Sequence, residues 1–152
     1  DLIVGFPGET EEDFLESAQM CREIGFSHIH TFKYSIRNGT KAATMPNQIS
    51  DKIKTERSAV IRKISAENKK RYFEQMIGKS QKMLIERIDS NGTAQGYGEN
   101  YIPMRLKAKD LEKNTFLNVI VDNIIIHHIS CYGIHCIDNY HIVIGMICFI
   151  SF

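Results

Sequence analysis

Six residues near the start, Gly5-Phe6-Pro7-Gly8-Glu9-Thr10, constrain the fold of this chain more than any other segment. They follow an apolar run, Leu2-Ile3-Val4, and lead into Glu11-Glu12-Asp13, so a strand passes through a tight turn into a helix. Thr10 is a good N-cap, Asp13 has capping-box spacing, and the acids complement the positive end of a helix. Phe14, Leu15, Ala18, Cys21 and Ile24 recur at helical spacing, which places Cys21 in the core, and Gly25 ends the run as a C-terminal glycine does. Ser27 to Tyr34 is expected to be a second strand, giving a β-α-β unit with parallel pairing. Asp1-Leu2-Ile3-Val4 lacks an initiator Met and has the character of a strand already under way, so a piece of a longer chain is expected.

The rest of the chain changes character twice. Arg37-Asn38-Gly39-Thr40 is a turn signal, and Ser50 caps a long helix expected from Asp51 to about Gln75, with Ile53, Val60, Ile61, Ile64 and Tyr72 as its apolar stripe. Its many cations, Lys52, Lys54, Arg57, Arg62, Lys63, Lys69, Lys70 and Arg71, are expected to form a solvated face. From Ile77 the period becomes alternating. Lys82 to Ile88, Thr93 to Tyr97, Tyr101 to Leu106 and Phe116 to Val121 are expected as short strands, with a hairpin turn at Asp89-Ser90-Asn91-Gly92. Strands at this spacing suggest a small β-barrel of the kind that binds oligonucleotides.

Charge follows the same division. Of 152 residues, 1–51 hold four Lys/Arg and eight Asp/Glu, 52–113 hold fifteen and eight, and 114–152 hold none and two. The middle block is where a polyanion would bind. Gly96-Tyr97-Gly98-Glu99-Asn100-Tyr101 sets two aromatics and an amide among Lys79, Lys82, Arg87, Arg105, Lys107 and Lys109; aromatics stack on unpaired bases while cations hold phosphates.

Other chemistry is sparse. The Gly-Phe-Pro-Gly turn could expose backbone N–H groups to a carboxylate or phosphate, although neither dinucleotide nor P-loop spacing is present. His28 and His30 share a strand face with no identifiable partner, and no catalytic set can be assembled. His127, His128, Cys131, His135 and Cys136 are candidate metal ligands, but their spacing fits no familiar zinc pattern, and no metal site is expected. The Ile-rich tail is also what an out-of-frame gene end would give. Four cysteines, unevenly placed, make no disulfide framework, and the apolar run from Ile142 to Phe152 is short for a membrane helix; a cytoplasmic protein is expected.

Taken in order, these residues resemble the radical S-adenosylmethionine methylthiotransferases that modify adenosine 37 of tRNA. The resemblance rests on Asp1 to Thr10 with Glu12-Asp13-Phe14, on Tyr34-Ser35-Ile36-Arg37-Asn38-Gly39-Thr40 with Ala42-Ala43, Met45-Pro46 and Gln48, and on Glu56-Arg57. It continues into Gly96-Tyr97 and Glu99-Asn100-Tyr101, which look like the RNA-binding TRAM domain, and ends near residue 123. The family commonly has Pro where Ile36 and Lys41 stand, and their absence is expected to loosen that loop.

The resemblance implies an α/β fold: residues 1–76 as the C-terminal portion of a radical-SAM partial (β/α) barrel, 77–123 as a small all-β, OB-like TRAM barrel, and 124–152 as an atypical tail. It implies S-adenosylmethionine and two [4Fe–4S] clusters whose ligands are not among these residues, so that this chain alone is expected to be inactive. Gly5, Pro7, Gly8, Glu9 and Arg37 become cofactor-binding candidates; Lys79, Arg87, Tyr97, Asn100, Tyr101, Arg105 and Lys107 become RNA-binding candidates. Gly25-Phe26-Ser27 with His28-Ile29-His30 before Phe32 looks more like the branch acting on N6-threonylcarbamoyladenosine in the anticodon loop than the one acting on N6-isopentenyladenosine. The alternative is a non-catalytic RNA-binding module or an inactive remnant.

Overall fold

The computed structural model describes residues 1–107, 110–125, 128–137 and 140–144, with side chains over 1–107 and 110–124. The chain divides into two units, Asp1–Tyr72 and Phe73–Phe152.

In the first unit, β1 (Leu2–Val4) pairs in parallel with β2 (Thr31–Lys33), Ile3 opposite Phe32, and α1 (Glu11–Ile24) connects them. The helix starts with the expected capping box: Thr10 Oγ1 accepts the Asp13 N–H, and the Asp13 carboxylate accepts the Thr10 N–H. It ends at Gly25 in the left-handed conformation, whose N–H donates to Cys21 O. A short 3-10 turn, Lys41–Thr44, precedes α2 (Asp51–Glu74). Val4, Phe14, Ala18, Cys21, Ile29, Ile61 and Ile64 form the core.

The expected β-α-β unit is present, with three differences of detail. β2 is shorter than Ser27 to Tyr34 because the Ile29 N–H donates to Ser65 Oγ of α2, at 3.0 Å, rather than to a neighbouring strand. Leu15 and Ile24 of α1, and Ile53 and Val60 of α2, are exposed. In their place the buried face of α2 runs through Lys54, Arg57, Ser58, Ile61, Ile64, Ser65 and Asn68. Helical spacing is kept, but most of that face is polar, because it tethers backbone as well as filling space. Asn68, for example, donates to Cys21 O at 2.8 Å.

In the second unit six strands form one sheet: β3 (Ser80–Ile88), β4 (Thr93–Gly98), β5 (Pro103–Lys107), β6 (Phe116–Ile125), β7 (His128–Ile137) and β8 (Tyr140–Ile144). Their order is β5-β4-β3-β6-β7-β8, and β5 also pairs in parallel with β7, so five strands close into a ring with β8 outside it. Met83, Ile85, Ala94, Ile102, Met104, Leu106, Val119 and Val121 are buried. The Ile-rich end, in which sequence patterning defines no element, thus supplies β7 and β8. At the β3–β4 turn the Asp89 carboxylate accepts the N–H groups of Asn91 and Thr93, each at 2.9 Å, which is why Asp opens that hairpin.

A bulge between Ile85 and Arg87 governs which way β3 points. Leu84 is opposite Tyr97 and Ile85 opposite Gly96, but the next partner of β4, Gln95, is opposite Arg87, leaving Glu86 as the extra residue. Simple alternation would send Arg87 to the buried side with Met83 and Ile85; the bulge brings it to the outer face with Leu84. Gly96 is required there, since a Cβ on it would lie within bonding range of the Leu84 carbonyl oxygen.

Gly96→Ala is therefore expected to cost on the order of 3 kcal/mol or to prevent folding, whereas Gln95→Ala, beside it and half-buried, costs about 1 kcal/mol or less in urea unfolding. Hydrogen bonds from the Thr10 backbone and then its hydroxyl hold the Asp13 carboxyl below its ordinary 3.8. A lowered pKa makes this stabilisation complete above the ordinary value and lost as pH falls through the folded one. An NMR titration of Asp13 is expected to have its midpoint below 3.8, rising in Thr10→Ala.

Candidate functional site

The Gly-Phe-Pro-Gly turn is built from inside. The Gly5 N–H donates to the Glu9 carboxylate, the Glu9 N–H to Phe6 O at 2.9 Å, and the Gly8 N–H to Asn47 O at 3.0 Å. Of the N–H groups expected to face a carboxylate or phosphate, those of Gly5, Gly8 and Glu9 are thus engaged by the chain itself. Gly5 and Gly8 have positive φ, 73° and 88°, so both are conformational requirements. At Gly5 there is a second one: a Cβ would collide with Lys54 Cγ, so glycine lets the lysine stem cross the turn. Pro7 is buried.

Behind the turn stands Arg57. Its guanidinium is 3.1 Å from the Glu9 carboxylate, donates to Glu9 O at 3.2 Å, pairs with Glu11 at 3.1 Å and lies 5.2 Å from the centre of the Phe14 ring. Arg57 and Glu9 are largely buried, with side chains 7% and 14% exposed. Lys54 is buried too, its ammonium 3.3 Å from Asp51 and 5.6 Å from the Tyr34 ring. The expectation of a wholly solvated cationic face on this helix is corrected at these two positions. Alternation cannot reveal them; the one available signal was the Glu56-Arg57 pair within the resemblance.

What remains open beside the turn is a hollow of about 520 Å³ lined by Ile3, Phe6, Phe32, Tyr34, Arg37 and Thr40 among others. Phe6 meets Tyr34 edge to face, with centroids 5.3 Å apart. Arg37 is placed by the expected turn, in which Thr40 donates through N–H and Oγ1 to Arg37 O. Of the cofactor candidates, Arg37 lines this hollow, whereas Gly5, Pro7, Gly8 and Glu9 shape the turn next to it. Phe6, Tyr34 and Phe32 also line it, although sequence reading did not place them among the cofactor candidates.

His28 and His30 do have partners: their rings meet edge to face at 4.4 Å, and His30 Nδ1 is 3.2 Å from the Asp1 carboxylate. Burial first, then His30 and Lys69, hold the His28 imidazole below its usual pKa.

In the second unit, Arg87, Tyr97 and Arg105 line one shallow hollow of about 230 Å³ together with Glu86, Gln95 and Pro103. Cross-strand register explains it. Arg87, Gln95 and Arg105 are consecutive partners across β3, β4 and β5, and Tyr97 is opposite Pro103. Lys107, two residues from Arg105 and exposed, is on the same face opposite Thr93. Lys79 is exposed just before β3. Tyr101 is 86% exposed with φ 59°, in a turn where its N–H donates to Gly98 O. Asn100 points inward: its amide donates to Met76 Sδ, and its buried Oδ1 has no partner. It supports the turn that displays Tyr101. Lys109 and His127 lie outside the described residues, as do the side chains of His128, Cys131, His135 and Cys136.

Among the described residues no group of three or more His, Cys, Asp or Glu could hold a metal ion, so the described residues do not fit a cluster. No described helix is long and apolar enough to cross a membrane.

No family model matches the chain. Individual relatives do. It is 40% identical over 120 residues to the tRNA-2-methylthio-N(6)-dimethylallyladenosine synthase of Caldicellulosiruptor saccharolyticus, covering 78% of this chain and 26% of that protein. Proteins of the same name from Psychrobacter sp. and Fusobacterium nucleatum are 34% identical over 123 residues (80% of this chain, 25% of theirs) and 47% over 88 (57% and 20%). The chain belongs to the radical S-adenosylmethionine tRNA methylthiotransferase family. It spans between a fifth and about a quarter of the length of these curated relatives.

If the Glu9–Arg57 pair holds the turn, Arg57→Ala is expected to cost about 3 kcal/mol, because it leaves a carboxylate buried without its cation. Combining Arg57→Met with Glu9→Gln restores at least about 1 kcal/mol of that in an unfolding double-mutant cycle.

Proposed function

We propose that this chain is the part of a tRNA methylthiotransferase that borders the S-adenosylmethionine site and grips the RNA. The whole protein transfers a methylthio group to C2 of a modified adenine at position 37, in the anticodon loop. The observation that carries this reading is the 40% identity over 120 residues to a relative named for that product. Of the two adenine side chains considered, the dimethylallyl (isopentenyl) group is favoured, since the relatives carry it in their names. The threonylcarbamoyl reading rests on the residues from Gly25 to Phe32 alone.

Two features of the structure support the division of labour. The hollow beside the turn offers aromatic rings, Phe6, Phe32 and Tyr34, and a guanidinium, Arg37, which suit a ligand with a flat base and a carboxylate. S-adenosylmethionine has both; in this family's chemistry it supplies the methyl group and the radical source. Arg37 would hold the carboxylate, and Gly5, Pro7, Gly8 and Glu9 would fix the wall against which the rings stand. The [4Fe–4S] clusters of the family would be held by other residues, and this chain by itself would be inactive. On the second unit, Arg87, Arg105 and Lys107 would hold phosphates on the same face as Tyr97, while Lys79 and Tyr101 extend the contact and Asn100 braces the Tyr101 turn. Residues 77–123, with β7 closing the ring, would be the TRAM domain.

The test is nucleoside mass spectrometry of tRNA incubated anaerobically with the native polypeptide, S-adenosylmethionine, a one-electron reductant such as dithionite and a sulfide source. A methylthio product from dimethylallyladenosine tRNA and none from threonylcarbamoyladenosine tRNA is the expected result; the reverse pattern restores the other branch, and no product from either overturns the reading. In binding, Tyr101→Ala is expected to cost about 1–3 kcal/mol, and Lys107→Ala to lower the salt slope by about 1.

A further inference from the structure

The outer face of the ring carries a second aromatic that motif reading did not single out. Phe116 is opposite Leu84, Leu84 is opposite Tyr97, and Tyr97 is opposite Pro103, so one row crosses β6, β3, β4 and β5 on a single face. Partners directly opposite in an antiparallel pair project to the same side. Both rings of this row are open to solvent, Phe116 at 62% and Tyr97 at 44%, although each belongs to a strand whose alternate residues are buried. An aromatic so exposed on a regular strand contributes little to the core and is available to a ligand. Two strand spacings separate the rings, about 10 Å, with half-buried Leu84 between them.

Each ring has its own cation. The Lys82 ammonium is 5.0 Å from the Phe116 ring centre, and Arg87 and Arg105 line the hollow with Tyr97. Glu86 is the one acid of that hollow. The backbone just before Phe116 is fixed: Ile85 donates to Thr115 O at 2.9 Å and accepts from Asn114 N–H at 2.8 Å. The ring is therefore presented from a preorganised strand rather than from a loop.

We infer that Phe116 and Lys82 form a second nucleotide platform beside Tyr97, so that this face takes two unpaired nucleotides, one base on each ring, with the flanking phosphates on Lys82 and on Arg87 and Arg105. The inference rests on the RNA-binding reading above and deepens it. Ring plus cation matches base plus phosphate, whereas a double helix, whose bases are stacked on one another, offers no free base face to either ring. A protein partner would use the same apolar surface without needing a planar ring.

The chain contains no tryptophan, which gives a direct readout. With the 152-residue chain and a labelled single-stranded oligoadenylate as probe, Phe116→Ala is expected to weaken binding about tenfold, and Phe116→Tyr to stay within about twofold of the parent. Lys82→Ala is expected to reduce the salt slope by about 1. In Phe116→Trp, oligoadenylate should quench the indole emission and a duplex of equal length should not. Unchanged affinity in Phe116→Ala while Tyr97→Ala weakens binding overturns the second platform and leaves RNA binding standing. Equal quenching by duplex, or none by either, overturns stacking at this position. If the parent chain binds neither oligoadenylate nor tRNA, the RNA-binding reading fails together with this one.

Discussion

The first unit depends on one buried ion pair. Arg57 reaches from α2 to the turn after β1, where it meets the carboxylate and the carbonyl of Glu9, the carboxylate of Glu11 and the face of Phe14. Glu9 passes that constraint on, because its carboxylate also accepts the Gly5 N–H. Removing Arg57 would leave the Glu9 carboxylate buried without its cation, so strand, turn and both helices are held to a common geometry. The two glycines and the proline permit the turn's path; the arginine selects it.

In the second unit the corresponding constraint is steric. Closing five strands into a ring requires the sheet to bend, and the extra residue at Ile85–Arg87 supplies a bend at which Gly96 is the one residue type that fits under Leu84 O. The same bulge moves Arg87 from the inner to the outer face. A feature needed for closure therefore also assembles Arg87, Gln95 and Arg105 in one row, so the basic surface and the barrel shape have a common cause.

These constraints change what the Gly-Phe-Pro-Gly motif means. Its Gly5, Gly8 and Glu9 N–H groups are taken by the Glu9 carboxylate, Asn47 O and Phe6 O, so the turn is braced from within the chain. The hollow beside it is lined by the rings of Phe6, Phe32 and Tyr34 and by Arg37, the groups to which the proposed reading gives the ligand.

Sequence by itself determined the elements whose causes are local. The Thr10–Asp13 capping box, the Gly25 stop, the Asp89 hairpin and the alternation of Met83 and Ile85 each depend on residues close in the chain, and all are where the pattern puts them. The family was legible for the same reason, through short motifs in order. What tertiary structure alone decided lies at long range. Arg57 finds Glu9 across 48 positions, Ser65 takes the Ile29 N–H across 36, and β5 meets β7 to close the ring. A charged residue looks solvent-bound in any local window, so Lys54 and Arg57 were unreadable as buried groups. A one-residue bulge inverts strand parity without changing composition, so the facing of Arg87 had to wait for the partner strand. Phe116 fits either a core or a surface position until its register with Leu84 and Tyr97 is known.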